Sequence, residues 1–142
     1  MFRRLDDGIS VSPQITPEQV GDAAAGGVTL IINNRPDGEE DGQPAGAEIE
    51  AAAAAAGLAY RAIPVTQAGF SANQIEAMNA ALDAAGGPVL AYCRSGTRST
   101  YLWSLAQAAR GASPDALAAK AADAGYDLAP IRPMLDALAA RG

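Results

Sequence analysis

The sequence predicts an α/β protein: three layers, α/β/α, around a mainly parallel sheet of four to five strands. Three observations carry that expectation. Short apolar runs recur at 9–12, 28–34, 59–65 and 88–93, each bounded by Gly, Pro, Asn or Ser. Stretches with helical character separate them, so strand and helix alternate along the chain. The 142 residues suit one domain, 1–142, with a single core.

ISVS (9–12) is the first strand. PEQVGDAAAGG (17–27) is a helix, with Thr16 as N-cap, Pro17 at its first position and Gly26 or Gly27 at its end. VTLIINN (28–34) has the β-branched density of a buried strand. RPDGEEDGQPAG (35–46) is a polar loop, and AEIEAAAAAAGL (47–58) a helix closed by Gly57. The alanine tract 51–56 fits that helix, since alanine is the best helix former. AYRAIPV (59–65) is the third strand and TQAGF (66–70) a loop. SANQIEAMNAALDAAGG (71–87) is a helix capped by Ser71, with Ile75, Met78 and Leu82 along one face. PVLAYC (88–93) is a strand whose Pro88 sits where a missing N–H is tolerated. Helices follow at 97–111, 113–125 and 129–140. The expected order is β-α-β-α-β-α-β-α-α-α.

Composition narrows the function classes. The formal net charge is −6, and the basic residues are scattered. Phosphate-backbone recognition needs clustered positive charge, so no nucleic acid partner is expected. No apolar run is long enough for a membrane span, and MFRRLDDGIS lacks the apolar core of a secretory signal; the expectation is a cytoplasmic protein. One cysteine excludes an internal disulfide. The absence of histidine removes Ser-His-Asp and Cys-His catalysis. A lone Cys with carboxylates is a poor zinc ligand set. Neither a metal nor an organic cofactor is expected.

The chemistry concentrates in AYCRSGTRSTYLW (91–103). Ligands of open α/β sheets bind beyond the carboxyl ends of strands. Cys93 ends the most apolar strand, and Arg94–Arg98 lead into a helix. Gly96 permits a tight turn and close approach of a ligand. The N–H groups of residues 94–98, with the positive end of the helix, form an anion cradle. Such a cradle favours a thiolate at Cys93. Arg98 offers a fixed-charge fork for two oxygens of a bound tetrahedral anion. Ser99 is placed to donate a hydrogen bond to the sulfur as it leaves. Arg94, Ser95, Gly96 and Thr97 are the expected binding residues. The competing account, an inert buried thiol, does not explain Arg, Ser, Gly, Thr, Arg and Ser in succession after a buried strand.

Cys-Arg-Ser-Gly-Thr-Arg-Ser resembles the active-site loop of cysteine-dependent phosphatases and of rhodanese-type sulfurtransferases. SPQITPEQV, VTLIINNRPDGEE, AYRAIPV and AYCRSGTRS together closely resemble the phosphatase-like domain of the beta-lactamase-hydrolase-like proteins, over about residues 8–110. That resemblance implies a tyrosine/dual-specificity-phosphatase-like fold and a small anionic substrate.

Two departures bear on the chemistry. Cysteine phosphatases carry His-Cys, then five residues, then Arg; here Tyr92 replaces the histidine and four residues separate Cys93 from Arg98. Rhodanese-type loops are similarly short and hold a persulfide. In the resembling phosphatases an Asp follows the IPV-type strand as general acid, whereas no Asp or Glu occurs between Glu50 and Glu76. The loop Asn33–Glu40 lies at the same edge of the expected sheet. Asn34 and Arg35 are candidates to bind substrate or to brace the cysteine loop. Asp37, Glu39 or Glu40 could be the proton donor, although Asn, Pro, Asp and Gly are ordinary residues of a solvated turn.

Three functions follow as expectations. The first is a phosphatase-like hydrolase acting through a cysteinyl-phosphate. The second is a sulfurtransferase carrying sulfane sulfur on Cys93. The third is a non-catalytic anion-binding module.

Overall fold

The computed structural model describes residues 2–141. Five strands, β1 (Arg3–Asp6), β2 (Ile9–Ser12), β3 (Leu30–Asn33), β4 (Ala59–Ala62) and β5 (Val89–Tyr92), form one sheet in the order β1-β2-β5-β3-β4. The helices are α1 (Pro17–Ala25), α2 (Gly46–Ala55), α3 (Ala72–Ala84), α4 (Thr97–Ala109), α5 (Pro114–Asp123) and α6 (Arg132–Arg141), the last entered through a 3₁₀ turn at Ala129–Ile131.

All neighbours are parallel except β1, which runs antiparallel to β2. Strand β1 was not anticipated, because RRLD carries a single apolar residue. Leu5 is that residue, and it is buried. The Asp7-Gly8 pair after it is a hairpin signal that would have found the strand. The helical stretch 129–140 proves to be a 3₁₀ turn followed by α6, with Pro133 in the helix's first turn.

Period-two alternation divides the buried residues between two faces. Leu30 and Ile32 of β3 and Val89 and Ala91 of β5 pack with Met78 of α3, Leu102 and Leu105 of α4 and Leu135 of α6. Ile31, Leu90 and Tyr92 pack on the other face with Val20 of α1 and Ile49 of α2. The result is the expected α/β/α sandwich. Helices α1 and α3 start with reciprocal caps in which Thr16–Gln19 and Ser71–Gln74 exchange side-chain and backbone hydrogen bonds.

Strand β5 is central, and its register decides where the chemistry sits. Tyr92 lies level with Ser12 of β2 and Asn33 of β3. The three strands therefore end together, and the segments after them, 13–16, 34–45 and 93–96, emerge at one edge. Past β4 the ladder continues irregularly: Ile63 N–H donates to Asn33 O at 2.9 Å and Val65 N–H to Asn34 O at 3.0 Å, with the N–H-less Pro64 between them.

Leu90 is fully buried beneath α1 and α2. Leu90→Ala should lower stability by about 2–5 kcal/mol, because the cavity adds to the lost transfer energy. Urea denaturation measures this; a loss below about 1 kcal/mol would mean the layer is loosely packed.

Candidate active site

The cysteine loop is built on Gly96. It adopts φ 90°, and a Cβ there would lie 2.1 Å from the hydroxyl of Tyr126 and 3.4 Å from the backbone of Ser12. Both the left-handed backbone and the close approach exclude any other residue. Gly96 is also the N-cap of α4, which has no side-chain cap. Thr97 N–H reaches Ser95 Oγ at 3.4 Å, and the N–H groups that follow have no side-chain acceptor and are left for an anion in front of the loop. The Gly96 N–H itself points at the Cys93 sulfur, 3.1 Å away. Cys93 N–H donates to Ser12 O at 3.3 Å, which ties the loop back to β2.

Cys93 is fully buried, while Arg94 and Ser95 are exposed at the rim. Ser95 and Thr97 bond to one another, Oγ to Oγ1, at 2.9 Å. A cavity of about 640 Å³ opens above, lined by Pro36, Glu39, Thr66, Gln67, Arg94 and Arg98.

Arg98 grips Glu39 end-on: Nη1 donates to Oε2 at 2.7 Å and Nη2 to Oε1 at 2.8 Å. Its second Nη1 hydrogen goes to the carbonyl of Val65 at 2.8 Å. The hydrogen bonds to Glu39 raise the Arg98 pKa most, and the nearby Cys93 side chain adds to that effect. Arg35, only 3% exposed, donates to Glu39 at 2.9 Å, Glu40 at 2.9 Å and Gln14 at 3.0 Å. Arg94 reaches Glu40 at 3.5 Å. The Arg98 hydrogen bonds, with help from Arg35, hold the Glu39 carboxyl at a pKa of about 2 against the opposing effect of burial. Arg35 and then Arg94 lower that of Glu40.

The structure thus reassigns several residues. Ser99 gives the hydrogen of its buried hydroxyl to Asn34 Oδ1 at 2.8 Å rather than to the sulfur. Asn34 is fully buried, and its amide donates to Ile63 O at 2.9 Å, so it braces α4 against the sheet edge and cannot reach a substrate. Arg35 likewise braces, through the two glutamates, because its side chain has almost no exposed surface. Asp37 accepts from Gly46 N–H at 2.8 Å, capping α2 where Ala45 has no capping side chain. It does not line the cavity beside Arg98. Glu39 and Glu40 lie in an exposed turn, and their carboxylates are the acidic half of a network with three arginines. At neutral pH the Glu39 carboxyl carries no proton to donate.

Sequence reasoning missed Gln14, Thr66, Gln67, the carbonyl of Val65 and Tyr126 as parts of this edge. Tyr92, in the place of the phosphatase histidine, is buried, and burial pushes its hydroxyl far above the usual range. It turns to the α1/α2 face with Tyr60, whose hydroxyl accepts from Asn33 Nδ2 at 2.9 Å.

Comparison with known proteins matches residues 1–110 to the phosphatase-like domain of beta-lactamase hydrolase-like proteins. A beta-lactamase hydrolase-like protein of Agrobacterium fabrum is 37% identical over 108 residues, which is 76% of this chain and 25% of that protein. One from Xylella fastidiosa is 36% identical over 107 residues, again 25% of its length. The chain therefore spans about a quarter of these relatives. A crystal structure of a candidate phosphatase from Neisseria meningitidis superposes with a TM-score of 0.85 at 36% identity, covering 96% of each chain. The structure of Tk-PTP superposes with a TM-score of 0.72 at 18% identity, covering 99% of this chain and 97% of that one. The fold is protein-tyrosine-phosphatase-like.

Glu39 should make stability depend on acid. Its folded pKa lies below the ordinary 4.5, so its contribution is complete above about pH 4.5 and fades as pH falls towards 2. Glu39→Gln should therefore cost on the order of 1 kcal/mol at pH 7, a partly exposed charged hydrogen bond being discounted for solvent, and less at pH 3. Urea denaturation at both pH values tests this; an equal difference at each would show that the carboxylate charge contributes nothing.

Proposed function

The chain belongs to the phosphatase-like domain family of the beta-lactamase hydrolase-like proteins, and on that premise we propose that it is a cysteine-dependent phosphatase acting on small phosphate esters. The observation that supports this reading best is the cradle itself: a cysteine before a helix whose N-cap glycine carries no capping side chain, with a Gly96 N–H on the sulfur and Arg98 close enough to feel it. In this reading the Cys93 thiolate attacks phosphorus and the ester P–O bond breaks with its electron pair on the leaving oxygen. The N–H groups of residues 94–98 and the Arg98 side chain take up the charge on the phosphoryl oxygens. Water then attacks the cysteinyl-phosphate and returns phosphate and thiolate. Glu39 keeps Arg98 oriented throughout.

General acid catalysis contributes about 10²–10⁴-fold in such reactions. Glu39 is ionised and paired, Asp37 caps α2, and the loop 66–70 has no acid. Leaving groups must then depart without a proton, which selects aryl or similarly activated esters.

One observation favours a second reading. Four residues between Cys93 and Arg98 make a loop of rhodanese length, and sulfur transfer through a persulfide needs no proton donor. Thiosulfate would give up its outer sulfur to the thiolate and leave as sulfite, and a thiol or cyanide would take the sulfur from Cys93.

Assays on the wild type and Cys93→Ser separate the two. Hydrolysis of p-nitrophenyl phosphate should be abolished by the substitution, and alkyl phosphates should turn over at least about 100-fold more slowly than aryl esters. Thiocyanate formation from thiosulfate without phosphate release would replace the first reading by the second. Inorganic phosphate should protect Cys93 from alkylation. Arg98→Ala should abolish that protection and Arg98→Lys restore it only in part, since the planar fork is lost.

A further inference from the structure

Tyr126 stands between α5 and the 3₁₀ turn, beyond the residues matched by the family model. Its side chain nevertheless reaches the cysteine loop. The hydroxyl donates to the carbonyl of Ser95 at 3.0 Å. That carbonyl belongs to the same peptide group as the Gly96 N–H, which faces the Cys93 sulfur at 3.1 Å. A trans peptide is planar, so its C=O and N–H point in opposite directions. Holding one end holds the other.

The loop has few other means of fixing that plane. Gly96 has φ 90° and no side chain, and the Ser95 side chain bonds only within the loop, to Thr97. A rotated peptide would turn the Ser95 carbonyl oxygen towards the sulfur. An anionic sulfur, or an anion bound over it, would then meet a negative dipole in place of a donor. The tyrosine is itself held: it is 8% exposed, and the Arg3 guanidinium lies 5.2 Å from the ring centroid. Arg3 in turn donates to Ala124 O at 3.3 Å, so β1 clamps the segment that carries the tyrosine. The charged groups facing Cys93 itself are Arg98 and, through it, Glu39.

We propose that Tyr126 is a positioning residue for Cys93: its hydroxyl locks the 95–96 peptide so that the Gly96 N–H serves the sulfur and the incoming anion. This rests on Cys93 being the nucleophile of the proposed reaction, but its test does not require turnover. Tyr126→Phe removes the hydroxyl and keeps the ring. Arg3→Met loosens the ring's cover and keeps the hydroxyl. Alkylation of Cys93 by iodoacetamide is followed from pH 6 to pH 10, with and without inorganic phosphate.

The expected result is that Tyr126→Phe slows alkylation at least threefold at pH 6, converges on the wild-type rate at pH 10, and weakens phosphate protection at least threefold. Arg3→Met, which loosens the clamp but keeps the hydroxyl, should produce at most half the change that Tyr126→Phe does in either. Unchanged profiles in Tyr126→Phe would overturn the proposal, and so would an equal change in Arg3→Met, which would assign the effect to packing. A second measurement needs no variant: the Gly96 amide resonance should move with the alkylation profile of the wild type, and a resonance that stays still also overturns it. If phosphate fails to protect the wild type while Tyr126→Phe still alters alkylation, the phosphatase reading fails and the positioning role stands.

Discussion

One carboxylate joins the parts of this site. Glu39 accepts from Arg98 on the cysteine loop's helix and from Arg35 at the end of β3. Those two arginines come from different strand–helix units, and neither has another acidic partner that links both. With the glutamate between them, two cations can stand near one another, Arg35 buried and Arg98 lining the cavity. The energy of this contact comes from charge-assisted hydrogen bonds in a partly desolvated place, where they are stronger than in water.

Behind that contact lies a buried scaffold of uncharged bonds. Asn34 ties Ser99 of α4 to Ile63 past β4. Asn33 orders the Arg35 backbone and the Tyr60 hydroxyl. Arg35 reaches Gln14 after β2, and Gln14 N–H donates to the Arg94 carbonyl. Every segment at the carboxyl edge is thereby fastened to at least one other. Buried polar groups are costly when unpaired, so each partner constrains its neighbour's position. The segment 124–126 closes the arrangement from behind through Arg3 and Tyr126.

Much of the cysteine loop was legible in the sequence because its chemistry is local. Cys93, Gly96 and Arg98 lie within six residues, and a strand followed by a glycine turn and a helix places them by geometry alone. The roles of Ser99 and Asp37 were not legible, and for Asn34 and Arg35 the sequence left bracing and substrate binding both open. A hydroxyl or amide looks the same in sequence whether it meets a ligand or a neighbouring loop. Ser99 and Asn34 are 65 positions apart, as Glu39 and Arg98 are 59 apart. Strand β1 escaped because an edge strand with one buried residue shows no alternation to read.

By itself the sequence determined the layered fold, the edge at which the chemistry gathers and the residue types of the cradle. Those follow from hydrophobic period, capping residues and the backbone freedom of glycine, which act over a few residues. Only the tertiary structure decided which acid is charged, which polar side chains brace and which face the cavity, and that Tyr126 meets Gly96. Those outcomes depend on the parallel register of β2, β5 and β3, which brings three distant loops level at one edge. Pairing of charges and hydrogen bonds across loops is settled only after the sheet has set their distances.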